Sequence, residues 1–160
     1  MENLEELMLK AEQGDAEAQA SLGDCYKRGE GVEQDYSKAV KWYQKAAKQD
    51  EEHAQAALAE CYYKGEGVER NLEKAAYWYD HAAELGDEEG MVMLAELYYR
   101  GEGVVKDVEK AVWLFEIAAM RRIDSAEQRL NELLAEGVKS AKKALKRVAK
   151  QKKKKYGFLR

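Results

Sequence analysis

Apolar positions along the chain fall into short helical runs separated by glycine. Between residues 52 and 64, Ala54, Leu58, Cys61 and Tyr62 recur at i, i+4, i+7 and i+8, the spacing of one apolar stripe on an α-helix. Gly65-Glu66-Gly67-Val68 then interrupts the pattern. Its two glycines allow positive φ, one to close the helix and one to reverse the chain. Asn71 is placed to cap a second helix, as are Asp35 and Asp107 elsewhere. Leu72, Ala75, Ala76, Tyr79, Ala82 and Ala83 form the apolar face of that helix, and Gly86-Asp87 ends it. The pattern predicts a pair of helices joined by a glycine turn.

The pair repeats. Gly-Glu-Gly-Val begins at positions 29, 65 and 101, each 36 residues after the last. Leu22, Leu58, Leu94 and Leu130 keep the same step, as do Tyr26, Tyr62 and Tyr98, with Leu134 in the fourth place. Lys38, Lys74 and Lys110 align, and so do Ala39, Ala75 and Ala111; Ala47, Ala83 and Ala119 align with Ala11 one step earlier. The flanks read as partial units. Residues 3–13 match a second helix, and residues 124–136 match a first helix ending at Gly137. Lys143-Ala144-Leu145 resembles Lys38-Ala39-Val40, so a degenerate second helix is expected to follow, with Arg147 at the Trp42 position. Terminal repeats depart from the consensus because their outer face meets water.

The organisation expected is an array over 1–137, with a partial N-terminal helix 3–13, units 16–50, 52–86 and 88–122, and a partial unit 124–137. Residues 138–160 form a basic capping helix and tail.

The stretches Ala18-Gln19-Ala20-Ser21-Leu22-Gly23-Asp24-Cys25-Tyr26, Gly29-Glu30-Gly31-Val32 and Lys38-Ala39-Val40-Lys41-Trp42-Tyr43-Gln44-Lys45-Ala46-Ala47 resemble the Sel1-like repeat. The 36-residue period and the Gly-x-Gly-Val loop separate it from the 34-residue tetratricopeptide repeat. The third unit departs slightly, with Trp113 at the Tyr77 position and Leu114 at the Trp78 position. The resemblance implies an all-α fold, an α/α superhelical solenoid, and an adaptor role in protein assemblies. Some members of the family are linked to β-lactam binding or hydrolysis. No residues here match such chemistry, so a hydrolase of that type is the most distant alternative.

Composition narrows the picture. The 160 residues contain no proline, which suits helix, and no run of about 18 apolar residues that would cross a membrane. The acidic start, Met1-Glu2-Asn3-Leu4-Glu5-Glu6, lacks the apolar core of a signal peptide. Two cysteines without a local partner suit a reducing compartment, the cytoplasm. The net charge of −4 conceals an asymmetry: residues 1–136 hold 16 basic against 31 acidic residues, and 137–160 hold 11 basic and no acidic ones.

Candidate chemistry is sparse. Cys25 and Cys61 occupy the same register position in consecutive first helices, with Leu97 in the third. Stacked equivalents sit about 9–10 Å apart, beyond disulfide reach. A buried apolar role therefore suffices, whereas cysteine-rich members of the family join the two helices of one unit. His53 and His81 read as surface residues without metal-ligand spacing, and no metal or other cofactor is expected. The Gly-Glu-Gly loops follow a helix and lack a Gly-Lys-Ser/Thr ending, so they are not phosphate cradles. No catalytic residues are assigned, no small-molecule substrate is expected, and the chain reads as not an enzyme.

Asp24, Glu60, Glu96 and Glu132 make a carboxylate ladder at the repeat period. It is either an acidic stripe for a basic partner or a set of i,i+4 pairs, Asp24–Arg28, Glu60–Lys64 and Glu96–Arg100, with the pairing favoured. Opposite the core face, the first helices carry Ala20, Asp24 and Lys27, then Ala56, Glu60 and Tyr63, then Val92, Glu96 and Tyr99. Asp24, Lys27, Glu60, Tyr63, Glu96 and Tyr99 are the candidate binding residues for a protein or peptide held in a concave groove. The same tyrosines could instead pack between helices.

The basic segment has three readings. Val138, Ala141, Leu145 and Val148 give an amphipathic helix that closes the array. Alternatively, Lys146, Arg147, Lys150, Lys152, Lys153, Lys154 and Lys155 draw the scaffold to an anionic surface, nucleic acid or membrane. The third reading docks the tail on an acidic groove, with Tyr156, Phe158 and Leu159 as an apolar anchor. A monomer, or weak self-association through a terminal unit, is expected.

Overall fold

The computed structural model describes residues 3–156, with side chains to residue 154. The chain packs as two units, Met1–Asp87 and Glu88–Arg160. Unit 1 contains α1 (Leu4–Glu12), α2 (Ala16–Arg28), α3 (Tyr36–Ala47), α4 (Glu52–Lys64) and α5 (Leu72–Leu85). Unit 2 contains α6 (Glu88–Arg100), α7 (Val108–Met120), α8 (Asp124–Ala135) and α9 (Lys139–Tyr156). Among the described residues there are no strands, and the fold is the all-helical repeat array the periodicity predicts.

Local chemistry sets the boundaries. Asp35, Asn71 and Asp107 each accept a hydrogen bond from the amide three residues on, at 2.9 Å, and so start α3, α5 and α7. Gly29 (φ 72°) and Gly65 (φ 76°) end α2 and α4 in the left-handed conformation. The second loop glycine has an additional role. A Cβ on Gly67 (φ 73°) would lie 2.2 Å from the Tyr36 carbonyl oxygen, so the loop rests directly on the backbone at the start of α3.

Within each unit every helix packs against its sequence neighbours, and in unit 1 the two first helices α2 and α4 also touch. The core of unit 1 gathers Ala39, Val40, Tyr43, Ala54, Leu58 and Cys61, with Tyr26, Tyr62 and Trp78 packed at its margin. Gly23 makes room for Tyr43: a Cβ there would meet the ring at 2.6 Å. Ala20 and Ala56 are buried rather than open, and Ala20 belongs to the core of unit 1.

Two recurring contacts explain aligned positions. Lys38, Lys74 and Lys110 hold their ammonium groups 5.3, 5.2 and 4.0 Å from the ring centres of Tyr26, Tyr62 and Tyr98, fastening the second helix of a repeat to its first. The Gln19 and Gln55 side-chain amides donate to the Ala11 and Ala47 carbonyls at 3.0 and 3.2 Å, satisfying the open ends of the preceding helices.

The basic segment forms α9, which packs on α7 and α8. Its buried line is Ala141, Ala144 and Val148; Leu145 stays half-buried. The segment is therefore helical, with its buried line rotated from the expected one because it leans on two helices.

Candidate functional site

In unit 1 the carboxylate ladder is partnered between repeats as well as within them. Lys27 on α2 pairs with Glu60 on α4, and Glu60 also receives Lys64 one turn along its own helix. Burial alone would raise the Glu60 carboxyl, but the two ammonium groups outweigh it and hold it below the ordinary range. The Glu60 side chain is 26% exposed and that of Lys64 48%, so the second partner stands at the solvent edge. Tyr63 is half-buried beside them, with the Arg70 guanidinium 5.9 Å from its ring centre.

Asp24 takes different partners. It accepts from the Tyr43 hydroxyl at 2.6 Å and faces His53 Nε2 at 3.0 Å, joining α2, α3 and α4. Arg28 instead lies 3.7 Å from Glu30, so the expected Asp24–Arg28 ion pair is not formed, whereas Glu60–Lys64 and Glu96–Arg100 are. Burial pushes the Asp24 carboxyl up, and the bonds from His53 and Tyr43 more than reverse it. The same hydrogen bond raises the His53 imidazole above its usual value. Burial and Asp24 together hold the Tyr43 hydroxyl protonated throughout the physiological range. His53 is thus a surface residue with a structural partner, not a solitary one.

In unit 2, Arg129 of α8 gathers the corresponding groups. Its Nε donates to Glu96 at 2.6 Å, its Nη1 contacts Glu136 at 3.0 Å and Glu132 at 3.2 Å, and its guanidinium lies 5.0 Å from the Tyr99 ring centre. The Tyr99 hydroxyl donates to Glu136. Glu96 Oε2 is buried and makes no hydrogen bond, with Arg100 Nε at 3.6 Å. At the far end of this unit Arg147 grips buried Glu116, one contact being 2.5 Å, and Lys152 pairs with Glu127. Two of the basic-segment candidates, Arg147 and Lys152, are therefore engaged within the unit. The side chains of Lys155 and Tyr156, and Phe158 and Leu159, lie outside the described residues.

Both cysteines are free; Cys61 is buried and Cys25 half-buried. Burial pushes the Cys61 thiol up to about 11. His81 meets the Tyr77 ring edge to face, with centres 4.5 Å apart, on α5. Among the described residues no three His, Cys, Asp or Glu side chains gather as a metal site, and no helix is long and apolar enough to cross a membrane.

The family model of the Sel1 repeat matches residues 16–51, 52–87 and 88–122. The chain belongs to the Sel1 repeat family. Sel1 repeat proteins serve in general as protein-interaction scaffolds and are as a rule not catalytic. Among solved structures, c5321, a protective antigen of uropathogenic Escherichia coli with the same repeat fold, is 34% identical with a TM-score of 0.81 over 84% of this chain. This chain spans only 29% of that protein's length. A Sel1 repeat protein from Oxalobacter formigenes is also 34% identical, with a TM-score of 0.75 over 82% of this chain and 99% of its own. The cysteine-rich protein B of Helicobacter pylori is 26% identical, with a TM-score of 0.60 over 78% of this chain and 95% of its own. No curated protein matches the chain.

Within this Sel1 repeat array, Arg129, Glu136, His53 and Tyr43 are the site members that sequence reasoning missed. Arg129 reaches a residue 33 positions away and His53 one 29 away. No local spacing signals such pairs; only the 36-residue stacking register could have suggested them.

Proposed function

We propose that this chain is a non-catalytic adaptor that holds a protein or peptide partner against its first helices. In unit 1 the docking residues are Asp24, Lys27, Glu60 and Tyr63; in unit 2 they are Glu96 and Tyr99. The observation that supports this reading is the state of Glu60: one cation, Lys27, is built into the stack, while the other, Lys64, is an exposed i,i+4 partner. Such a surface pair contributes only about 0.3–0.5 kcal/mol. An incoming lysine or arginine displaces it at little cost, with the Tyr63 ring alongside for apolar contact. With both thiols free, a reducing compartment such as the cytoplasm fits the chain, acting as a monomer or in weak self-association.

The test is affinity capture from the native source with the tagged full chain, followed by Glu60→Gln with Tyr63→Ala, and separately Glu96→Gln with Tyr99→Ala. The captured proteins are expected to fall by about tenfold for at least one pair of substitutions, the scale of losing one anchoring contact. Undiminished capture by both folded double variants removes the first-helix assignment.

A further inference from the structure

Helix α9 presents a face that the adaptor reading does not use. Lys139, Lys142, Lys143, Lys146, Lys150 and Lys153 are all exposed and stand at i, i+3, i+4, i+7, i+11 and i+14, one continuous stripe along the helix. Lys154 extends it, giving a length of about 22 Å at 1.5 Å per residue. The opposite side is sealed by Ala141, Ala144 and Val148 against α7 and α8. Two other cations of the helix are ion-paired, Arg147 with Glu116 and Lys152 with Glu127. From Gly137 onward the chain carries no acidic residue, and among the described residues none of the stripe lysines has an ion-pair partner.

We propose that the lysine face of α9 adsorbs to an anionic membrane surface. Four to eight basic residues on one face of an amphipathic helix suit attraction to acidic lipid headgroups. Two observations favour a lipid surface over nucleic acid. The stripe is lysine alone, compact point charges without the planar guanidinium forks preferred in nucleic-acid recognition. It also carries no aromatic ring on which bases would stack. Point charges along a straight line are what phosphate and carboxylate headgroups need, and no more. The acidic remainder of the chain, 16 basic against 31 acidic residues over 1–136, faces repulsion from the same surface, so adsorption is oriented through α9.

The test is co-sedimentation of the full chain with phosphatidylcholine vesicles, with or without about one-third phosphatidylserine, at about 0.1 M salt. Wild type is expected to bind the phosphatidylserine vesicles and not the neutral ones. Lys142→Gln with Lys146→Gln and Lys150→Gln removes three charges from the exposed stripe. It is expected to weaken binding by about a hundredfold, roughly fivefold per lysine. A charge-matched control, Lys41→Gln with Lys45→Gln and Lys48→Gln, takes three exposed lysines from α3 and its C-cap and is expected to leave binding within about twofold. The thermal melt of the α9 variant should match wild type, since its three lysines are exposed and unpaired, while the control loses only the contact of Lys45 with the Trp42 ring, 4.0 Å from its centre, and should stay folded. Equal losses in the two variants, or no binding by wild type, overturn the proposal. So does tighter binding to a DNA duplex or to polyglutamate than to the vesicles at the same salt.

Discussion

Gly31 and Gly67 provide a controlled pair for asking what the second loop glycine does. They hold the same place in successive Gly-Glu-Gly-Val loops, with φ of 72° and 73°, and both lie in unit 1. An alanine at either position meets the same left-handed backbone penalty, about 1–2 kcal/mol. Their surroundings differ. The Gly31 Cβ would lie 3.2 Å from Leu4 Cδ2, the tip of a flexible side chain that can swing aside. The Gly67 Cβ would lie 2.2 Å from the Tyr36 carbonyl oxygen, 2.4 Å from its carbon and 2.8 Å from the Ser37 nitrogen, all backbone. Relieving those contacts requires the loop and the start of α3 to part by about 1 Å, a disruption on the scale of core overpacking, a further 1–3 kcal/mol. Gly31→Ala should therefore cost about 1–2 kcal/mol and Gly67→Ala about 2–5 kcal/mol. Urea unfolding followed by circular dichroism reads both. Gly14→Ala serves as the strain-only reference, because its Cβ meets nothing within 4 Å at φ 99°. If Gly67→Ala and Gly31→Ala agree within about 0.5 kcal/mol, close approach is not the reason for the second glycine.

Two further outcomes are expected. His53 has a folded value above the ordinary 6.5, so its pairing with Asp24 stabilises fully below that pH and fades as pH rises through the folded value. Asp24, depressed below 3.8, adds stability present above that pH and lost as it falls through the folded value. The stability difference between wild type and His53→Gln, measured by denaturant melts across pH, should be largest in the mildly acid range and shrink towards alkaline pH; a flat difference refutes the pair. For the thiols, native iodoacetamide labelling at about pH 8 read by mass spectrometry should modify half-buried Cys25 well before Cys61, whose burial holds it near 11. Equal labelling rates would show that α4 opens freely.

The parts of the fold legible in the sequence are those written locally. Asn71 as a cap, Gly65 as a left-handed stop and the Ala54–Leu58–Cys61 stripe each depend on residues within two turns, and each stands where the pattern put it. Contacts between helices were not legible, because they need the lateral register of the stack. Lys38 and Tyr26 were visible as separate aligned columns, yet nothing in the spacing said that one covers the other. Asp24 was expected to pair along its helix with Arg28 and is instead taken by Tyr43 and His53 from two other helices. The tail showed its amphipathic character but not its rotation, since Ala144 is buried by contact with two helices that no one-dimensional period records. At the candidate positions Glu60 and Glu96 the internal cations, Lys27 and Arg129, come from neighbouring repeats, a pairing that spacing along one helix does not show.

The lysine-over-tyrosine fastener has a consequence for how such a chain changes over generations. Tyr26 and Lys38, Tyr62 and Lys74, and Tyr98 and Lys110 are each separated by twelve positions, inside one 36-residue block. A duplication or loss of a whole block therefore carries both halves of the clasp together and strands neither. Inheritance by blocks leaves each clasp self-sufficient; where Leu134 takes the tyrosine column no such clasp can form, and Arg147 and Glu116 are joined by a link of their own kind.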